Sequence, residues 1–366
     1  MSGRSLSAVL LAAGSGTRML SNRPKPLHLL CGRPMLVYAL ESLAECRLDT
    51  TAVVVGQAAE RITKRISEDA PDLAVEFVEQ AHPRGSADAT YAALAALGED
   101  DLGEDDVVVL AGDMPLLEPA TLAALVAHHR ANDVAATVLV GRMADSRGRS
   151  RVLRGRENRV VRLVPDAEVD LVEGLGDEVA ALAFVFRRNV LVPALRRVLP
   201  DPVTGELMLD GVIEVLSVAG YLIGSYEVDD VGQLAEVNDR VSLAAVEAEL
   251  RRRINLNWLE QGVTMVDPAT TYVDATVVLA RDVTLFPNTL LQGRTVVGEG
   301  CEIGPDTRLV DCMIGANARV QKTVGQDAEV GPGARVGPFA TLEPGAQVPA
   351  DARIASFVTV SDTGPT

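Results

Sequence analysis

The 366-residue sequence predicts an α/β domain with a mostly parallel sheet, followed by a short parallel β-helix of hexapeptide repeats. Two observations carry this prediction. Apolar runs alternate with helix-length segments through about residue 230, and from Val273 an aliphatic residue recurs every six residues with one short slip.

The apolar runs are Ala8–Ala12, Ala52–Val55, Val75–Val78, Val107–Ala111, Ala135–Val140 and Val179–Phe186. Helix-length segments accompany them at Met35–Glu45, Ala87–Leu97, Pro119–Arg130 and Asn189–Leu199. Strand, helix and strand in succession imply a largely parallel sheet with helices on both faces. Ligands of such sheets bind at the carboxyl ends of the strands. This organisation covers 1–230. Residues 231–262 read as a helical connector, with Leu234, Val237, Val241, Ala244, Leu250, Ile254 and Trp258 as its apolar stripe.

From Val273 the period changes. Val273, Leu279, Leu285, Leu291, Val297, Ile303 and Leu309 are evenly spaced; after a slip (Ile314, Val320), Val324, Val330, Val336, Leu342, Val348 and Ile354 continue the pattern. Small residues (Thr289, Thr295, Cys301, Thr307, Ala328, Ala334, Ala340, Ala346) accompany them, as crowded corners between stacked coils require. Such a repeat is the signature of a β-helix in which each unit supplies one short strand.

Composition narrows the function. A formal net charge of −17 argues against nucleic acid, whose phosphates are bound by basic surfaces. No apolar run reaches the roughly 18 residues of a membrane span, and the start lacks a cleavable signal design. Cys31, Cys46, Cys301 and Cys312 have no metal-ligand spacing, which favours free thiols in a reducing cytoplasm. Yet Arg4, Arg18, Arg23, Lys25 and Arg33 all precede the first acidic residue, Glu41. A local cationic patch of this kind can attract a phosphorylated ligand to an acidic protein.

Leu11-Ala12-Ala13-Gly14-Ser15-Gly16-Thr17-Arg18 follows an apolar strand. Its glycines let backbone N–H groups approach a phosphate without a Cβ clash. It has neither the G-K-[ST] ending of a P-loop nor the spacing G-x-G-x-x-G, and alone it also reads as a tight turn. Asp113, in Ala111-Gly112-Asp113-Met114-Pro115-Leu116, stands just past a strand of pure aliphatics. There a carboxylate can help hold Mg²⁺ together with substrate phosphates, or cap the next helix. Gln80 can pair donor and acceptor with a pyrimidine edge, and Gly85-Ser86 supplies backbone contact beside it.

The continuation Pro24-Lys25-Pro26-Leu27 and Gly32-Arg33-Pro34-Met35-Leu36 makes the loop resemble that of the sugar-phosphate nucleotidyltransferase superfamily. The resemblance implies a Rossmann-like nucleotidyltransferase domain in which Arg18 and Lys25 act on the phosphates of nucleotide and sugar. It also implies that Leu11, Ala12, Ala13, Gly14, Gly16, Thr17, Gln80, Gly85 and Ser86 bind the nucleotide. Asp113 and Asn238, the latter in Val237-Asn238-Asp239-Arg240, would hold Mg²⁺. Glu79-Gln80-Ala81 and Gly85-Ser86 resemble the uridyltransferase stretch Q-A-x-x-x-G-T, favouring UTP or dTTP. The order of domains, Val263–Pro268 and Gly337-Pro338-Phe339-Ala340 resemble one bifunctional family, the N-acetylglucosamine-1-phosphate uridyltransferase/glucosamine-1-phosphate acetyltransferases. The implied β-helix is left-handed, and the implied assembly is a homotrimer formed through it.

The chain departs from that family twice. In its C-terminal part Thr341 and Glu343 replace arginines of P-F-A-R-L-R-P-G, Ser361-Asp362 stand where a lysine is expected, and no histidine follows His129. The chain also ends before the acetyl-CoA site of that family would form, so no acetyltransferase activity is expected. In the acceptor region Arg149-Ser150-Arg151, Pro165, Val179-Ala180-Ala181-Leu182 and Gly205-Glu206-Leu207-Met208-Leu209-Asp210 replace groups that would hydrogen-bond N-acetylglucosamine.

Arginines crowd positions 142–162, either as a solvated hairpin or as contacts to an extra anionic group. The expected activity joins a nucleoside triphosphate to a sugar-1-phosphate, with UTP and N-acetylglucosamine-1-phosphate as the family's pair. The rewritten acceptor region opens the alternative of another sugar or cyclitol phosphate, and of dTTP, GTP or CTP. An inactive trimeric scaffold is the competitor from another class. The phosphate loop, Lys25, Asp113 and Asn238 are intact while the acceptor contacts differ, which favours altered specificity over inactivity.

Overall fold

The computed structural model describes residues 4–98, 105–143, 146–202, 204–362 and 364–365. The chain forms two compact units, Met1–His28 with Pro34–Leu243, and Leu29–Arg33 with Ala244–Thr366. The segment 231–262 is thus divided, 231–243 going with the first unit and 244–262 with the second. Among the described residues no helix is long and apolar enough to cross a membrane.

The first unit is a Rossmann-like α/β domain. Its elements are β1 (Leu6–Ala12), α1 (Met35–Glu41), β2 (Thr50–Val55), α2 (Ala59–Asp69), β3 (Glu76–Glu79), α3 (Ser86–Ala96), β4 (Asp106–Ala111) and α4 (Pro119–Asn132). Next come β5 (Ala136–Arg142), β6 (Arg151–Arg154), β7 (Val160–Val164), β8 (Glu178–Arg187), α5 (Arg188–Leu195), α6 (Gly211–Val218) and β9 (Ile223–Glu227). The sheet runs β9-β5-β8-β4-β1-β2-β3, with the β6–β7 hairpin attached to β8. The strand pairs β1–β2, β1–β4, β2–β3 and β5–β9 are parallel, while β8 is antiparallel to β4 and β5.

The central strands are buried on both faces, so they read as continuous apolar runs. Ala8, Leu10, Val53, Val55 and Leu110 pack into one core layer; Val9, Ala52, Val54, Val107 and Val109 pack into the other. Each strand therefore feeds both layers at period two.

Helix α2 had no strong sequence signal because only Ile62 and Ile66 are buried on it. Helix α1 stops at Glu41, and the stretch expected to continue it to Glu45 ends in a separate turn at Ala44–Cys46.

The second unit holds most of α7 (Arg240–Glu260) and a left-handed β-helix of three parallel sheets. The buried residues of α7 are Val246, Leu250 and Asn255, with Ile254 and Trp258 packed against the β-helix core. Val241 is 80% exposed, so the expected stripe is corrected to one spaced strictly by four, from Val246 to Trp258. The amide of Asn255 donates to Pro268 O and Thr271 O, each at 3.0 Å.

Inward positions stack coil upon coil. One column is Val273, Leu291, Leu309, Gly325, Leu342 and Val360. Val324, expected inside, is 54% exposed. The repeat shortens at this coil and Gly325 takes the inward position, where an added Cβ would meet Leu309 Cδ2 at 3.0 Å. The small residues from Thr289 to Ala346 are all buried, and the Thr289 and Thr295 hydroxyls donate to backbone carbonyls at 2.7 Å. All four cysteines are free and buried. Burial pushes the Cys31 thiol up to about 12 and that of Cys46 to about 11.

Candidate functional site

Strands β1 and β4 are neighbours in parallel register, with Leu11 opposite Ala111. Their carboxyl ends therefore release the glycine-rich loop and Gly112-Asp113 side by side. The Gly112 N–H donates to Leu11 O at 2.9 Å. A Cβ on Gly112 would stand 2.9 Å from Leu36 Cδ1 and 3.1 Å from Leu11 O, so a larger residue would have to push Leu36 aside.

Gly16 adopts φ 60°, and a Cβ there would lie 2.7 Å from Lys25 Cβ. The loop and Lys25 are thus packed directly together. Lys25 opens a short 3₁₀ turn, and its ammonium stands 2.5 Å from Asp113 Oδ2 and donates to Asn238 Oδ1 at 2.9 Å. Asn238 arrives there because the Val237 N–H donates to Asp113 O at 3.0 Å. Val237 itself is fully buried. Ser242 accepts from Asn238 N at 2.9 Å and so holds the segment at the start of α7.

Glu236 was not singled out from the sequence. It accepts from Asn238 Nδ2 at 3.1 Å, and its other oxygen lies 3.5 Å from Arg149 Nη1. Burial and the nearby Asp113 charge push its carboxyl above the ordinary range. The available signal was its spacing, two residues before Asn238, which in extended chain points both side chains the same way.

Gln80 is buried, and its Nε2 donates to Asp88 Oδ2 at 2.7 Å and Gly85 O at 3.3 Å. Asp88, also missed, therefore decides which end of the amide is spent internally. Gly85 does not stand open: a Cβ would collide with Leu207 O, and Ser86 Oγ accepts from Leu209 N at 2.8 Å. The segment 85–87 is in this way stitched to 207–209.

Two adjoining clefts of about 260 and 300 Å³ share Ala12, Ala13, Gly14, Ser15, Lys25 and Gln80. The first continues past Gly56 to Arg61. The second continues past Leu11, Gly85, Ser86 and Asp113 to Leu182, Glu206 and Met208. Gly14 is exposed with open space around it. Gly16, Thr17 and Arg18 line neither cleft, and Arg18 is exposed on the 3₁₀ turn beyond the loop.

Asp113 and Asn238 offer hard oxygen donors to a cation, and here the Lys25 ammonium stands between them. Among the described residues no group of three His, Cys, Asp or Glu side chains could cage a metal. That donor set would suit a divalent cation able to complete its shell with phosphates and water.

The arginines of 142–162 are largely spent on acids. Arg142 meets Asp177 and Glu227, each at 3.0 Å; Arg154 grips Glu178 at 2.6 and 2.8 Å; Arg162 meets Glu168 at 2.6 Å. These pairs favour the structural reading of the segment. Ser150 donates to Asp210 at 2.5 Å, and burial pushes the Asp210 carboxyl up.

The sequence of this unit matches a family profile described as a MobA-like NTP transferase domain over residues 8–207. The protein is therefore a nucleotidyltransferase. It is also 40% identical over 357 residues to the "Bifunctional protein GlmU" of Mycobacterium marinum, covering 97% of this chain and 72% of that protein. Proteins of the same name from Shouchella clausii and Mycolicibacterium gilvum are 37% and 41% identical. They match 98% and 96% of this chain, and 77% and 70% of their own lengths. The chain belongs to the GlmU family. Nucleotidyltransferases of this kind take a nucleoside triphosphate and a sugar phosphate, with a divalent metal.

Proposed function

We propose that this chain transfers a uridylyl group from UTP to a sugar-1-phosphate, with Mg²⁺ held by Asp113 and Asn238. The observation that carries the reading is the Lys25 ammonium set between Asp113 Oδ2 and Asn238 Oδ1, in a cleft bounded by the glycine loop. A phosphate oxygen of the sugar attacks the α-phosphorus, the bond to the β-phosphate oxygen breaks, and pyrophosphate leaves. Two anions must approach each other, so fixed cations are needed to offset their repulsion and the charge on the leaving group. Lys25 is one. Arg18, exposed beside the loop, is the second, and closes on the triphosphate from outside the cleft. Mg²⁺ would neutralise phosphate charge between nucleotide and leaving group.

The backbone of Leu11, Ala12, Ala13, Gly14, Gly16 and Thr17 is the proposed cradle for the phosphates and nucleoside. Gln80 directs its Nε2 to Asp88, which leaves Oε1 to accept from the N3–H of uracil, with Gly85 and Ser86 behind it. N-acetylglucosamine-1-phosphate is the acceptor that the family resemblance favours. A second reading, another sugar or cyclitol phosphate, is supported by the apolar end of the cleft at Leu182 and Met208 and by the Ser150–Asp210 bond.

We also propose a cytoplasmic homotrimer without acetyltransferase activity. Thr341, Glu343 and Ser361-Asp362 support the missing activity. The outward aliphatics Val278, Met313 and Val324, each about half exposed, support burial of the β-helix against other copies. Light scattering of the purified chain tests the trimer. A pyrophosphate-release screen of UTP, dTTP, CTP and GTP against sugar-1-phosphates tests the transfer. Turnover is expected with UTP, and no turnover with any pair by a folded protein would sink the reading. Acetyl-CoA with glucosamine-1-phosphate should give no product.

A further inference from the structure

The amide of Asn238 has two chemically different ends: Oδ1 can face a cation, whereas Nδ2 carries donors that repel one. Here Oδ1 accepts from Lys25 Nζ at 2.9 Å, while Nδ2 donates to Glu236 Oε2 at 3.1 Å. The backbone between the two residues is pinned, because Val237 is fully buried and its N–H is held by Asp113 O at 3.0 Å. Glu236 in turn faces Arg149 as an ion pair without a hydrogen bond, with Oε1 3.5 Å from Nη1 and the two side chains only 23% and 13% exposed. Arg149 lies just before β6, so the clamp joins the acceptor region to the segment that carries Asn238.

We infer that Glu236, clamped by Arg149, is a positioning residue that turns the Asn238 amide so that its oxygen faces Asp113 and the metal. This rests on the assignment of Asp113 and Asn238 as metal ligands proposed above. Two effects of Glu236 compete for the credit, its negative charge and its hydrogen bond. The adjacent guanidinium opposes the charge, so what an ion beside Asp113 feels of the pair is small. The hydrogen bond is unaffected by that cancellation, and among the described residues it holds the Nδ2 end of the amide as Lys25 Nζ holds the Oδ1 end. Outer partners of metal ligands typically change metal affinity by about 10–100-fold when removed.

Mn²⁺ binding to the full chain with a non-hydrolysable UTP analogue, followed by electron paramagnetic resonance, reads the orientation without turnover. Glu236→Leu should weaken binding about 10-fold or more. Glu236→Gln keeps an acceptor oxygen for Asn238 Nδ2 and should stay close to the native protein, whereas a purely electrostatic role predicts loss in both variants. Asn238→Asp presents oxygen whichever way it turns, so Glu236→Leu should cost nothing further in that background. Native affinity in Glu236→Leu, or a penalty that persists beside Asn238→Asp, overturns the inference. Arg149→Leu reads the same clamp from its other end should Glu236→Leu fold poorly; a tenfold loss is expected from about that range, and native affinity overturns the clamp. Asp113→Ala separates the two levels. If it binds Mn²⁺ normally, the metal assignment itself fails; if it loses binding while Glu236→Leu does not, only the positioning role fails.

Discussion

The Lys25 ammonium and the Asp113 carboxylate stand 2.5 Å apart although 88 positions separate them in the chain. Each is only partly exposed, at 13% and 22%. The pair marks where nucleotide phosphate and metal are expected to meet. Lys25→Ala and Asp113→Ala should each lower turnover by about 10²–10³ in a pyrophosphate-release assay. Rates equal to the native protein would remove both residues from the site.

Gly16 links that pair to the loop. A methyl group there would enter Lys25 Cβ at 2.7 Å and would also have to tolerate φ 60°. Gly16→Ala should therefore displace Lys25 and cost about 1–2 kcal/mol in backbone strain. Thermal melting should show the strain, and steady-state kinetics should show lower turnover. Unchanged kinetics would mean that loop and lysine are independent.

Asp88 decides the orientation of the Gln80 amide. Asp88→Leu leaves only the longer bond to Gly85 O to orient the amide, so the ratio of kcat/KM for UTP over CTP should fall by up to about tenfold, the worth of one hydrogen bond. A ratio that does not move would place base selection elsewhere.

Stability should depend on pH through Asp106, which is fully buried with Arg130 Nε donating at 2.7 Å and His129 Nε2 facing its other oxygen across 3.6 Å, beyond hydrogen-bond reach. Burial alone pushes this carboxyl up, but His129 and Arg130 outweigh it and hold it below the ordinary range. The folded state thus binds the proton less readily than the unfolded chain. Its contribution is complete above the ordinary carboxylate range and is lost as pH falls through the depressed value. Asp106→Ala should cost about 3 kcal/mol at neutral pH, and the gap from the native protein should narrow in acid. Denaturant melts at several pH values check both, and a gap independent of pH would contradict the assignment.

In the β-helix, Gly325 and Val324 should respond oppositely to substitution. Gly325→Val overfills the column between Leu309 and Leu342 and should cost about 1–3 kcal/mol. Val324→Thr, on the outside, should change monomer stability by less than about 0.5 kcal/mol. Equal effects would restore Val324 to the interior.

Much of the architecture was legible because it rests on local period. The both-faces burial of β1 and β4 makes Ala8–Ala12 and Val107–Ala111 continuous apolar runs, and the inward columns of the β-helix repeat along the chain. Helix α2 was not legible, since two buried isoleucines make too narrow a stripe. The shortened coil at Gly325 was not either, because glycine gives no hydrophobic signal and Val324 beside it does.

For the site, the sequence by itself determined the chemical groups: a glycine loop, Lys25, Asp113, Asn238 and Gln80. Tertiary structure decided how they are arranged. The register of β1 against β4, and the hydrogen bond from Val237 to Asp113, bring Lys25, Asp113 and Asn238 to one point. The same packing brought Glu236 to the Asn238 amide, Arg149 to Glu236, and Asp88 to the Gln80 amide. A sequence names donors and acceptors, but hydrogen bonds are short and directional, so only the folded chain selects which of them meet.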